Sequence, residues 1–496
     1  MKKTLQRYPL FLLLLPVFFV LHGFVENFRF IRFTDCLVLM GIYGGSALII
    51  CSVAYLILKS RVKAALIASF IMAFYLFFGI FHDLLRKHAI FLHKYTLLLP
   101  AFLLALVLLT LYLKKKDHFA RACLFLNTLL LAYILVDMGT LVWKAATQNG
   151  PGHAIPAFSS GRYRPCDTCS KPDIYFLLFD GYSSSKVLKE VYHYDDSALD
   201  NFLLSEGFRI QRGSRSNYFK TPFSMASILN FSYLKGVPDP HNLTADDYTN
   251  LFEVISKSEV VNFLSSRGYT IINNSPFDLP GTPASLDQPF IPVRTRLITN
   301  QTLFHYIVRD LGPWISQHLG DSSVMADDYI ANTFRDNMRS IDRTIAVSRQ
   351  PSDHPRFTYA HVFMPHYPFL LDSLSRKRKP QDVIRQLDET QPKPYLDYLA
   401  FTNASIERLI SAILKNSRGK AVIVFMSDHG FRHAEDGNAK PHFFNNQNAV
   451  YFPDQDYHLF YDSISGVNEF RVVLNTLFKQ NIPMLKDSTV NVKDKK

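Results

Sequence analysis

Five long apolar runs occupy the first 144 residues: Pro9 to Val25, Cys36 to Leu58, Val62 to Ile80, Thr96 to Leu113 and Ala120 to Trp143. Each has roughly the 17–25 residues that a helix needs to cross the hydrocarbon core of a bilayer. No ordinary soluble core absorbs five such segments in succession, so the chain is expected to cross a membrane five times and to leave its ends on opposite sides. The first run follows Lys2, Lys3 and Arg7 as a signal peptide would. However, "LHGFVENF" offers no small-residue cleavage site and four more spans follow, so it reads as a retained anchor.

Loop charges set the orientation. With the N-terminus inside, the inner segments carry ten cations: Lys2, Lys3, Arg7, Lys59, Arg61, Lys63, Lys114, Lys115, Lys116 and Arg121. The outer loops carry five: Arg29, Arg32, Arg86, Lys87 and Lys94. By the positive-inside rule everything after Trp143 is expected outside the cytoplasm. Of the chain's formal charge of +12, residues 1–144 account for +11 and the remaining 352 residues for +1. The basic character is therefore a topology signal, and no nucleic-acid partner is expected.

Residues 145–171 are rich in Gly, Pro and Ser and read as a linker between a transmembrane domain, 1–144, and a catalytic domain, 172–496. The linker holds "CDTC", with Cys166 and Cys169. No second pair completes a zinc site, which leaves a local disulfide or two idle thiols.

In the outer part buried strands alternate with helices: "DIYFLLFD", "YTIINN", "RFTYAHVFMPH" and "KAVIVFMSDHG" are the strands. The helices are "KVLKEVYHYDDSALDNFLLSEG", "EVVNFLSSRG", "YLDYLAFTNASIERLISAILKNSRG" and "FRVVLNTLFKQ". That alternation predicts an α/β domain with a largely parallel central sheet covered by helices.

In such sheets functional groups collect past the carboxyl ends of strands. Asp180 ends one strand, Asp428 and His429 end another, and His366 follows a third. Two carboxylates and an imidazole suit a divalent metal. Taken singly, "DG" and "SDHG" are also what turns look like. "TPFSMASIL" opens a helix, with Thr221 fitting an N-cap and Pro222 the first helical position. A hydroxyl there sits where backbone N–H groups favour an incoming anion, although plain capping accounts for the threonine equally well.

"FDGY", "TPFSMASIL" and "SDHG", in that order, resemble the sulfatase-like branch of the alkaline phosphatase superfamily, over roughly Pro172 to Pro483. With an N-terminal five-helix membrane domain the chain looks most like lipoteichoic acid synthases and lipid A phosphoethanolamine transferases. The resemblance implies an extracytoplasmic domain that holds one divalent metal ion, zinc or manganese before calcium or magnesium, through Asp180, Thr221, Asp428 and His429. It implies Thr221 as nucleophile and His366 as a substrate-phosphate ligand; Ser224 is a further candidate substrate contact, and His433, His442 and Lys440 are candidates for substrate phosphate or a second ion, although each also reads as a solvated loop residue. Where sulfatases carry Cys-x-Pro-Ser-Arg, this chain has Thr221, Phe223, Ser224 and Met225, so formylglycine chemistry is not implied. No complete second metal set is present.

The expected function is transfer of a phospho-head group, of phosphoglycerol or phosphoethanolamine type, from a membrane lipid to a glycan or lipid acceptor of the cell envelope through phospho-Thr221. A phosphodiesterase or sulfuric ester hydrolase of the same fold is the near alternative. A non-catalytic membrane sensor or assembly protein is the distant one.

Overall fold

The computed structural model describes residues 2–28, 31, 33–88, 94–117, 119–147, 162–234, 240–243, 245–286, 295–307, 326–379, 382–383, 392–432 and 440–493. The chain divides into two compact units, Met1–Gly152 with Phe290–Met325, and His153–Pro289 with Ala326–Lys496.

The first unit is helical: α1 (Lys2–Arg7), α2 (Phe11–Glu26), α3 (Phe33–Leu58), α4 (Arg61–Leu76), α5 (Phe78–His88), α6 (Tyr95–Lys115) and α7 (Ala120–Thr147). Among the described residues, α3, α6 and α7 are each long and apolar enough to cross a membrane. The pair α4 and α5, bent by 59°, adds a fourth candidate. The fifth expected span corresponds to α2, apolar but only 16 residues long, against roughly 20 for a full crossing. Outward-facing Leu135 (70% exposed), Ile49 (68%) and Leu56 (67%) fit lipid rather than water.

At the bend the amide of Gly79 donates to the Gln301 carbonyl (2.8 Å) instead of continuing the helical ladder. Tyr306 donates to Asp83 Oδ2 (2.8 Å), and Ile298 packs against Gly23. Residues 295–307, placed by the sequence reading in the domain 172–496, thus pack with the helices of the first unit.

The second unit is built on six strands: β1 (Ile174–Phe179), β2 (Arg209–Ile210), β3 (Thr270–Asn274), β4 (Arg356–Val362), β5 (Val422–Met426) and β6 (Asn448–Tyr451), in the order β2-β6-β5-β1-β4-β3. Strands β5, β1, β4 and β3 run parallel, and β6 is antiparallel to both of its neighbours. Helices α8 (Ser185–Glu190), α9 (Ser197–Ser205), α10 (Thr221–Leu229), α11 (Ala245–Ser256), α12 (Glu259–Ser266), α13 (Ala326–Arg349), α14 (Lys393–Ser417) and α15 (Gly466–Phe478) cover it.

The run "IYFLLF" is apolar throughout because both faces of β1 are buried. Ile174, Phe176 and Leu178 join the core with α10, α12 and α15, while Tyr175, Leu177 and Phe179 join the core with α13 and α14. The segment expected to form one helix after β1 is two, α8 and α9, because the chain turns at "VYHYDD" with His193 in the left-handed region (φ 54°). Cys166 and Cys169 form the local disulfide.

Candidate metal centre

β1 and β5 are adjacent and parallel, with Leu178 opposite Met426, so the residues that follow them emerge side by side. Gly181 turns the chain immediately after Asp180 with φ +74°, a conformation costly for a residue with a side chain. Its amide donates to Asp428 Oδ1 (3.1 Å) and ties the two exits together. Ser427 accepts from the Tyr182 amide (2.8 Å) and donates to the His429 carbonyl (2.7 Å), which holds the second exit.

The third component is the start of α10. Lys220 occupies the cap position, Thr221 is the first helical residue and Pro222 follows it. This corrects the expected register by one residue, and the consequence is chemical. The Thr221 hydroxyl does not cap the helix; it donates to Asp180 Oδ2 (3.3 Å) and lies 3.3 Å from His429 Nε2. Ser224, one turn on, donates to the Asp428 carbonyl (2.6 Å) and fastens the helix to the β5 exit.

Asp180, Asp428 and His429 bring ligand atoms within 4.8 Å of one another, all buried. Asp180 Oδ1 and Asp428 Oδ2 have no hydrogen-bond partner. Buried carboxylate oxygens without partners are costly, and a cation between them removes that cost. Burial pushes the Asp180 carboxyl up, but His366, His361 and His429 outweigh burial and hold it well below the usual carboxylate range. Burial and the charge of Asp180 push Asp428 up to about 6.

Burial, then Arg432, lowers the His429 pKa and keeps the ring neutral. Its Nδ1–H donates to the Gly430 carbonyl (2.8 Å), so Nε2 turns its lone pair inward. Two carboxylates, a neutral imidazole and a hydroxyl are a donor set that fits a divalent cation.

His366 flanks this set. Its ring lies 6.4 Å from that of His429, Nδ1 donates to the Tyr367 carbonyl (2.7 Å), and Arg432 Nη2 donates to Nε2 (3.4 Å). His442 is on a 3-10 turn, Pro441–Phe444, with its ring edge-on to Tyr192 at 5.9 Å; it is not among the clustered ligands. Lys440 precedes that turn. His433 lies outside the described residues.

His361 is the residue that sequence reasoning missed. Fully buried on β4, it donates from Nε2 to Asp180 Oδ2 (3.3 Å) while Nδ1 accepts from the Tyr359 hydroxyl (2.8 Å). Its signal was a phenol and an imidazole two residues apart, hence on one face, in an otherwise apolar strand.

Residues 292–464 match the sulfatase family model, described simply as "Sulfatase". No curated protein matches the chain. Similar solved structures include the C-terminal periplasmic domain of EcEptC from Escherichia coli in complex with Zn (12% identity, 66% of this chain and 87% of that one, TM-score 0.39). A phosphonate monoester hydrolase of Agrobacterium radiobacter is another (13% identity, 64% and 76% covered, TM-score 0.39). A third is Ps i-CgsB in complex with k-i-k-neocarrahexaose (14% identity, 63% and 73% covered, TM-score 0.38). Residues 292–464, within which His366, Asp428 and His429 fall, are thus similar to the sulfatase family.

Proposed function

We propose that the chain is a metal-dependent, membrane-anchored phosphotransferase with Thr221 as nucleophile. The observation that carries this reading is the Thr221 hydroxyl, 3.3 Å from both Asp180 Oδ2 and His429 Nε2 at the start of α10, beside two carboxylate oxygens without partners. Asp180, Asp428, His429 and Thr221 would hold a divalent cation, which supplies the charge that acidifies the hydroxyl and offsets that of a phosphate.

Thr221 Oγ1, its acidified hydroxyl losing its proton to solvent, attacks the phosphorus of a phospholipid head group. The Oγ1–P bond forms and the bond from phosphorus to the lipid oxygen breaks; His366 orients that oxygen, which takes up a proton from solvent. Backbone amides at the start of α10 favour the anion. A hydroxyl of an envelope glycan or lipid then attacks phospho-Thr221 and restores the threonine. The loop-charge asymmetry supports placing this domain outside the cytoplasm, where such donors and acceptors occur.

The sulfatase match favours a second reading in which water is the acceptor and the product is that of a hydrolase. Product analysis of the purified full chain with phosphatidylglycerol and phosphatidylethanolamine vesicles, with and without a hydroxyl acceptor, separates them. Acceptor-dependent release of diacylglycerol with the head group on the acceptor supports the transferase, and free head-group phosphate regardless of acceptor supports the hydrolase. No product with either vesicle contradicts both.

A further inference from the structure

Away from the metal centre, α13 and the chain following His366 enclose a groove of about 820 Å³, a size typical of small-molecule sites. Arg335, Arg339 and Arg343 lie four residues apart on α13 and line it, so they form a row spaced by roughly 6 Å along one helix face. Lys377 lines it from the other side. Asp342, the one acidic residue among its described lining, is already paired with Arg408 (3.0 Å). Arg339, Arg343 and Lys377 make no ion pair among the described residues. A row of unpaired cations facing one cavity repels itself, and an anionic ligand relieves that repulsion.

The floor is apolar. Leu370 and Leu371 are buried beneath the groove, 2% and 3% exposed, while Phe334 and Met338 lie half-buried along it. Phe334 is held in place by the Phe401 ring (5.8 Å). An apolar floor of this kind offers a face on which a sugar ring can lie.

The groove is also tied to the reaction site. Asn337, on the same helix, donates to the Phe363 carbonyl (3.1 Å) and accepts from its amide (2.8 Å), three residues before His366. Leu370 follows His366 by four residues.

We propose that this groove binds a phosphorylated saccharide, with the arginine row and Lys377 on its phosphates and Phe334 and Met338 under a sugar ring. The inference rests on the proposed function and deepens it: the groove is the subsite for the anionic part of the acceptor.

The test uses the full-length chain in detergent micelles and isothermal titration calorimetry with glucose 1,6-bisphosphate. Wild type is expected to bind, with affinity falling as salt rises, and Arg339→Ser with Arg343→Ser to weaken binding at least about tenfold at unchanged melting temperature. Lys377→Ser, on a different element, should weaken it as well, which guards against a fold defect along α13. Absence of binding by wild type, or equal binding by all variants, overturns the proposal. Equal affinity for inorganic phosphate also overturns it, since the site would then take any anion. So does variant-sensitive binding to vesicles of phosphatidylglycerol in place of the sugar. Formation of phospho-Thr221 from lipid donor should be intact in the double variant; if wild type never forms it, the proposed function fails while the titration still reads the groove.

Discussion

Gly430 closes the "SDHG" turn, and replacing it with alanine tests whether the position of His429 is as constrained as the structure indicates. A Cβ at this residue would lie 2.7 Å from the Asn445 carbonyl oxygen and 2.8 Å from that of His442, both backbone atoms. Ordinary contact is about 3.4 Å or more, so the turn and the strand exit must separate by roughly 0.5 Å. The hydrogen bond that the Gly430 amide donates to the Phe443 carbonyl (2.7 Å) lengthens with them. Overpacking of this kind costs about 1–3 kcal/mol. The displaced residue is bonded to His429, whose Nε2 lies 3.3 Å from both Thr221 Oγ1 and Asp428 Oδ2. A shift approaching 1 Å in a catalytic group costs up to about 100-fold in rate. Gly430→Ala should therefore lower the melting temperature of the full chain in micelles, and turnover should fall at least about tenfold. Gly268→Ala is a useful contrast, because that glycine has open space around it at φ +85°; it should cost stability with no specific loss of turnover. Wild-type stability and turnover in Gly430→Ala would refute the packing argument.

Other residues give independent readouts. His361→Ala removes the hydrogen bond that orients Asp180, and zinc or manganese affinity measured by competition with a chelator should fall about 10–100-fold. Ser224→Ala leaves the buried Asp428 carbonyl without its 2.6 Å donor, and chemical denaturation should show a loss of about 1–3 kcal/mol. Burial pushes Glu469 from 4.5 up to about 7 in the folded chain. The folded state therefore keeps a proton that the unfolded state has released, so stability should fall as pH rises from about 4.5 to about 7. Glu469→Gln should flatten that slope, and an unchanged slope would remove Glu469 as its source.

Much of the sheet was legible because β1 and β5 are buried on both faces and read as unbroken apolar runs, and β4 as a largely apolar one interrupted by Thr358 and His361. β6, four residues long and antiparallel, carried too little pattern to stand out. Helix α13 escaped for a different reason: the inner face of "ADDYIANTFRDNMRSIDRTIAVSR" mixes Ile341 and Ile345 with buried Asn337, Ser340 and Thr344, polar residues that bond to neighbouring strands or backbone, so its apolar stripe is interrupted. The site residues at strand ends were legible from their position in an α/β order. What the sequence could not show was that Thr221 faces Asp180 instead of capping its helix, since one residue of register separates those roles. Nor could it show that residues 295–307 pack with the first unit, because that depends on contacts distant in sequence, such as Tyr306 to Asp83.

The most direct test of the account is mass spectrometry of the peptide carrying Thr221, from full-length protein incubated with phosphatidylethanolamine or phosphatidylglycerol vesicles and quenched in acid, beside a Thr221→Ala control. The account predicts a phospho-head-group adduct on Thr221, dependent on divalent metal and lost when a hydroxyl acceptor is added. An unmodified Thr221 peptide together with full turnover by Thr221→Ala would contradict it.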